Sequence, residues 1–186
     1  MIYPIVVYGH PLLRKKADDF VPEEKDDLKQ LISDMYETMY KADGLGLAGP
    51  QIGLSKRIFV IDASPLAEDF PELGDFKKAF INARIIERDG DKMSDNEGCL
   101  SLPGISEEVG RPSRIRIQYV DEDFNEYDEV YEGWAARVIQ HEYDHIDGIL
   151  FVDHLAPLKK RLLKGKLNAI TKGKVNVGYR IKLPKQ

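Results

Sequence analysis

Val138-Ile-Gln-His-Glu-Tyr-Asp-His-Ile-Asp-Gly148 contains the tetrad His141-Glu142-x-x-His145, and the rest of the chain reads as its support. On an α-helix, residues four apart lie one turn above each other, so both imidazoles leave the same face. Two such imidazoles can share one divalent metal ion, with the carboxylate of Glu142 beside the open side of the metal. That arrangement suits activation of a water and relay of its proton. Upstream, Trp134, Val138 and Ile139 supply the apolar face of the same helix, which the pattern starts near Gly133 and ends at Gly148. The chain has four histidines, and His141, His145 and His154 cluster within fourteen residues.

Working outward, residues 23–41 repeat Leu28, Leu31, Ile32, Met35 and Met39 at spacings of three and four, which predicts an amphipathic helix opened by Pro22. Residues 57–62 and 79–88 read as strands, the second turning at Asp89-Gly90. Residues 113–120 and 126–132 form a hairpin about Asp121-Glu-Asp-Phe-Asn125. A further helix is predicted over 157–170, with Leu158, Leu162, Leu163 and Leu167 as its apolar residues, and a strand alternates over 175–181. These elements predict an α+β fold. Short, mostly antiparallel strands surround the central helix, with an N-terminal helix on one side and a C-terminal helix plus strand on the other.

The 186 residues fit one domain, and 42% hydrophobic with 32% charged residues is the composition of a globular protein. No apolar run approaches the roughly 20 residues needed to span a membrane, and the start of the chain lacks the pattern of a signal peptide. The single cysteine, Cys99, excludes an internal disulfide and suits a reducing compartment. Net charge is −5 but uneven: residues 155–186 carry +10 and the first 154 residues −15. An acidic catalytic body with a basic tail is expected, and such a tail can meet an anionic surface.

Two imidazoles need a third ligand. A Glu further along the chain would serve in a thermolysin-type protease, but no Glu follows Glu142. The third histidine of the metzincin pattern would fall at Phe151, and His154 comes three residues too late. Cys99, within Glu97-Gly-Cys-Leu-Ser101, remains as the candidate, with a His154-liganded protease and a closed four-ligand zinc site as the competing schemes. A glycine-rich stretch, Gly44-Leu-Gly-Leu-Ala-Gly-Pro-Gln51, ends in no phosphate-binding signature. Its glycines let backbone approach a ligand closely, and Gln51 offers a neutral amide donor.

Together and in this order, the stretch ending at Gln51, Glu97-Gly-Cys-Leu-Ser101 and Gln140-His-Glu-x-x-His145 resemble the three motifs of the peptide deformylases. One position departs, with Gly49 where the family carries a second Ala. The resemblance implies a metal-dependent hydrolase that removes the formyl group from the N-terminal formylmethionine of nascent chains in a bacterial cytoplasm. It implies Cys99, His141 and His145 as metal ligands, Glu142 as general base, and Gln51 with the Leu100 backbone N–H as oxyanion donors. Leu45, Gly46, Trp134 and Val138 would bind the substrate methionine, Glu97 would pair with Arg111, and Arg137 would extend toward solvent. Fe(II) is the metal implied, with Zn, Ni or Co able to substitute. Neither DNA nor a membrane is an expected partner, and ribosome contact through the basic tail is an open expectation.

Overall fold

The computed structural model describes residues 1–185. Five strands form one antiparallel sheet in sequential order: β2 (Gly46–Ala48), β3 (Ile58–Asp62), β4 (Lys77–Cys99), β5 (Leu102–Val120) and β6 (Glu126–Glu132). A separate parallel pair joins β1 (Ile5–Val6) to β7 (Ile181–Lys182). Among the described residues there are three α-helices, α1 (Leu28–Lys41), α2 (Gly133–Ile146) and α3 (Pro157–Thr171), besides short 3-10 turns.

The alternation of side chains along β3 explains the layering. Phe59 and Ile61 point to one face, where they pack with Ala136, Ile139, Tyr143 and Ile146 of α2. Ile58 and Val60 point to the other, against Leu28, Met35 and Met39 of α1. All five residues of β3 are therefore buried, and the helix with the two histidines is pressed onto the sheet. A third core gathers Leu163, Leu167 and Ile170 of α3 with Leu102, Ile105 and Val109 of β5. The end of α2 is held by Arg57, whose buried guanidinium donates to the Ile146 carbonyl at 3.1 Å and to Asp147 at 2.8 Å. It thereby satisfies a terminal helix carbonyl with a cation at the negative end of the helix dipole.

Predicted and observed elements differ in several places, and β5 starts at Leu102 rather than at 113 because its first half pairs with the far half of β4. Residues 22–27 are a 3-10 helix, and α1 begins only at Leu28, the first residue whose side chain reaches the core. Asp89-Gly90 is not a turn. β4 runs through it for 23 residues, and the register slips between Asp89 and Lys92 while Gly90 takes φ +78°. A bulge with glycine in the left-handed region bends the strand without ending it. Of the α3 leucines, Leu163 and Leu167 are buried, but Leu158 and Leu162 are exposed by 62% and 72%. At the C-terminus only Ile181–Lys182 form a strand. Residues 175–180 alternate because Val175 meets the third core while Val177 and Tyr179 face the cleft, not because they join a ladder.

Candidate metal centre and active site

Cys99 is the last residue of β4, and Leu100-Ser101 link it to β5 in a tight turn that pairs Cys99 with Leu102. The tip of this hairpin lies against α2, where the His141 and His145 rings have centroids 5.3 Å apart. Cys99 Sγ and one nitrogen from each ring lie within 4.8 Å of one another, with Sγ 3.4 Å from His145 Nε2. A sulfur and two nitrogens converging from two elements are the donor set and the span that one divalent ion can bridge. Among the described residues no other group of three such side chains converges in this way.

The electrostatics favour the thiolate of Cys99. Burial pushes the Cys99 thiol up, but the His145 and His141 imidazoles outweigh it and bring it down to about 5, toward thiolate. Burial raises the Glu142 carboxyl, more than the adjacent imidazoles lower it. Oε2 of Glu142 and Nδ1 of His145 are buried without a protein hydrogen-bond partner. Paired cores rarely leave such atoms, so an unpartnered carboxylate oxygen beside this cluster points to a ligand. These residues fit a metal ion.

Behind the cluster, one buried carboxylate organises the site. Glu97 accepts from Nδ1 of His141 at 2.8 Å, from Arg111 at 2.6 and 2.8 Å, and from Arg137 at 2.6 Å. A carboxylate can only accept here, so Nδ1 of His141 carries a proton, and Nε2, 4.0 Å from Glu142 Oε1, is the nitrogen left to face the cluster. Burial raises the Glu97 carboxyl, yet Arg111 and His141 hold it well below the usual range. Arg111 extends the network to Asp144 at 2.9 Å, and His154 Nε2 donates to the same carboxylate at 2.8 Å. His154 is thus engaged away from the cluster. The expectation for Arg137 is corrected: its side chain is 3% exposed, and its guanidinium also donates to the carbonyls of Val109 and Met93. Partners 28 and 44 residues away left no sign of this in the sequence.

The cluster opens into a cavity of about 670 Å³. Nine of the ten predicted site residues line it: Leu45, Gly46, Gln51, Cys99, Leu100, Trp134, Val138, His141 and Glu142. His145 lies behind them, buried. Gln51 is oriented from both ends of its amide. Oε1 accepts from the Ala48 N–H at 2.9 Å, while Nε2 donates to Ser101 Oγ at 3.1 Å and faces Cys99 Sγ at 3.5 Å. A Cβ on Gly46 would lie 2.5 Å from Oε1 of Glu142, so the missing side chain is what admits the carboxylate. A Cβ on Gly49 would meet the Lys56 carbonyl at 2.7 Å, so the loop at 54–56 excludes alanine at the position where the motif departs. Val177 and Tyr179 also line the cavity; their alternation signalled burial but not where.

Known proteins share this sequence and fold. Residues 2–161 match the Polypeptide deformylase family. A peptide deformylase of Christiangramia forsetii is 50% identical, the alignment covering 99% of this chain and 97% of that protein. One from Cytophaga hutchinsonii is also 50% identical over 99% of this chain and 98% of its own. Among solved structures, the peptide deformylase of Thermus thermophilus superposes with a TM-score of 0.82 at 42% identity, covering 93% of this chain and 99% of that one. Fold and sequence agree, and the chain belongs to the polypeptide deformylase family.

Proposed function

We propose that this chain is a single catalytic domain (residues 1–186) that hydrolyses the formyl amide of N-formylmethionyl peptides, releasing formate and a free amino terminus. The carrying observation is the convergence of Cys99, His141 and His145 beside a cavity that Cys99, His141 and Glu142 line. Cys99, His141 and His145 would hold the metal, with Fe(II) the ion the family resemblance favours and Zn, Ni or Co as substitutes. A bound divalent ion supplies Lewis acidity, which makes water nucleophilic near neutral pH and draws charge from a carbonyl oxygen.

The side chains of the protein account for the remaining work. Glu142, buried and raised, takes the proton of the attacking water on its carboxylate and returns it to the departing amine. Nε2 of Gln51 and the Leu100 backbone N–H serve as donors to the oxygen that gains charge as the formyl carbon becomes tetrahedral. Both are preoriented, Gln51 by Ala48 and Ser101, and Leu100 by its place in a tight turn. Leu45, Trp134 and Val138 give an apolar wall for the methionine side chain, and Gly46 lets the peptide backbone come close. Formyl carries only hydrogen on its carbonyl carbon, so a close-fitting site admits it and rejects acetyl. Formate release from a formyl-Met tripeptide, one formate per new amine and none from the acetyl peptide, tests this; equal cleavage of both peptides would refute it.

Nascent chains in a bacterial cytoplasm are the substrate class. No helix among the described residues is long and apolar enough to cross a membrane. On α3, Lys159, Lys160 and Arg161 are exposed within the basic 155–186 segment, which supports contact with an anionic ribosomal surface.

A further inference from the structure

We propose that Tyr179 is a positioning residue for the oxyanion donor at Leu100, an assignment that rests on the deformylase reading of the site. Residues 175–180 leave α3 and return across the cleft before β7 docks beside β1. The docking is firm at its edge, where the Ile5 N–H donates to the Arg180 carbonyl at 2.8 Å. One residue earlier, Tyr179 sets its ring in the cavity wall, and its hydroxyl donates to the Leu100 carbonyl at 2.8 Å.

The turn that carries Leu100 is gripped at three points. The Tyr8 N–H donates to the Ser101 carbonyl at 2.9 Å, and Gln51 Nε2 donates to Ser101 Oγ at 3.1 Å. Those two fix Ser101. The Tyr179 hydroxyl fixes Leu100 itself, from 79 residues further along the chain. The N–H and C=O of Leu100 lie on adjoining peptide planes that share its Cα, so holding the carbonyl limits rotation of the N–H. A backbone dipole stabilises developing charge only if it is oriented before the charge appears. A small displacement of such a group is costly to turnover. Phenylalanine at 179 would keep the ring packing and remove the tether alone.

The test compares wild type and Tyr179→Phe, both loaded with metal and quantified for it, in three readouts. Steady-state kinetics on the formyl-Met tripeptide should show kcat per bound metal reduced about tenfold with KM unchanged. Amide hydrogen exchange at the Leu100-Ser101 turn should quicken several-fold while the sheet and α2 keep their protection. Metal content should match wild type. Unchanged kcat per bound metal, or unchanged exchange at the turn, overturns the assignment while leaving the deformylase reading standing. A fall in activity that only follows metal loss overturns it too. Metal-replete wild type without formate release instead refutes the deformylase reading, and this assignment with it.

Discussion

Oε1 of Glu97 lies 2.8 Å from Nδ1 of His141, while the same carboxylate receives Arg111 and Arg137 from its other sides. It both orients the His141 imidazole and neutralises charge on two buried guanidiniums, so its loss acts on two properties at once. Glu97→Gln keeps the shape and removes the charge, and metal affinity should fall about 10- to 100-fold, read by competition with a chelator. Glu97→Ala also removes every hydrogen bond the carboxylate accepts, leaving Arg137 with no carboxylate and Arg111 with Asp144 alone, and denaturant unfolding should show about 3–5 kcal/mol lost. Wild-type metal affinity in both variants would contradict this role.

Gly46→Ala separates activity from stability. The added Cβ would fall 2.5 Å from Oε1 and 2.7 Å from Cδ of Glu142. The end of a side chain can swing aside cheaply, so the melting temperature should move by only a few degrees. The carboxylate, however, leaves the position that the proposed proton transfer requires, and kcat should drop roughly 100-fold. Full activity in this variant would mean that the observed placement of Glu142 is not the working one.

The identity of the third ligand is tested by a pair of substitutions. Cys99→Ala removes one of three converging donors and should lose metal on gel filtration. His154→Ala should keep it, because His154 donates to Asp144 and stands outside the cluster. The reverse pattern would restore the protease scheme with His154 as ligand.

Contact with the ribosome rests on charge. Reversing Lys159, Lys160 and Arg161 together should weaken co-sedimentation with ribosomes, with the wild-type protein showing the steep salt dependence of phosphate contacts. Co-sedimentation that ignores both the reversal and added salt argues against the basic helix as the docking face.

The catalytic helix was legible because His141 and His145 obey the helical repeat on which its apolar residues also fall. The 126–132 strand matched at both ends, since Asp121 and Asn125 announce its turn. Glu97 with Arg111 was legible only through the family resemblance. Other features depended on partners distant in the chain. Asp89-Gly90 has the composition of a turn, and only pairing with β5 makes it a bulge. Leu158 and Leu162 share the chemistry of Leu163 and Leu167, yet the third core accepts one side of α3. Arg137 resembles a surface residue until the Val109 and Met93 carbonyls and the Glu97 carboxylate are brought to it. Tyr179 looked like one step of a strand, because nothing local reveals that its hydroxyl ends on Leu100.

The most direct test of the account measures metal content and formate release in parallel for Glu142→Gln. Glu142 is assigned to proton transfer and not to metal binding, so the two readouts should part. The variant should hold metal as wild type does, while turnover of the formyl-Met peptide falls by about 10²- to 10⁴-fold. Turnover retained with metal bound would remove Glu142 as the base, and loss of metal with turnover would make it a ligand; either result would contradict the mechanism built on this cluster.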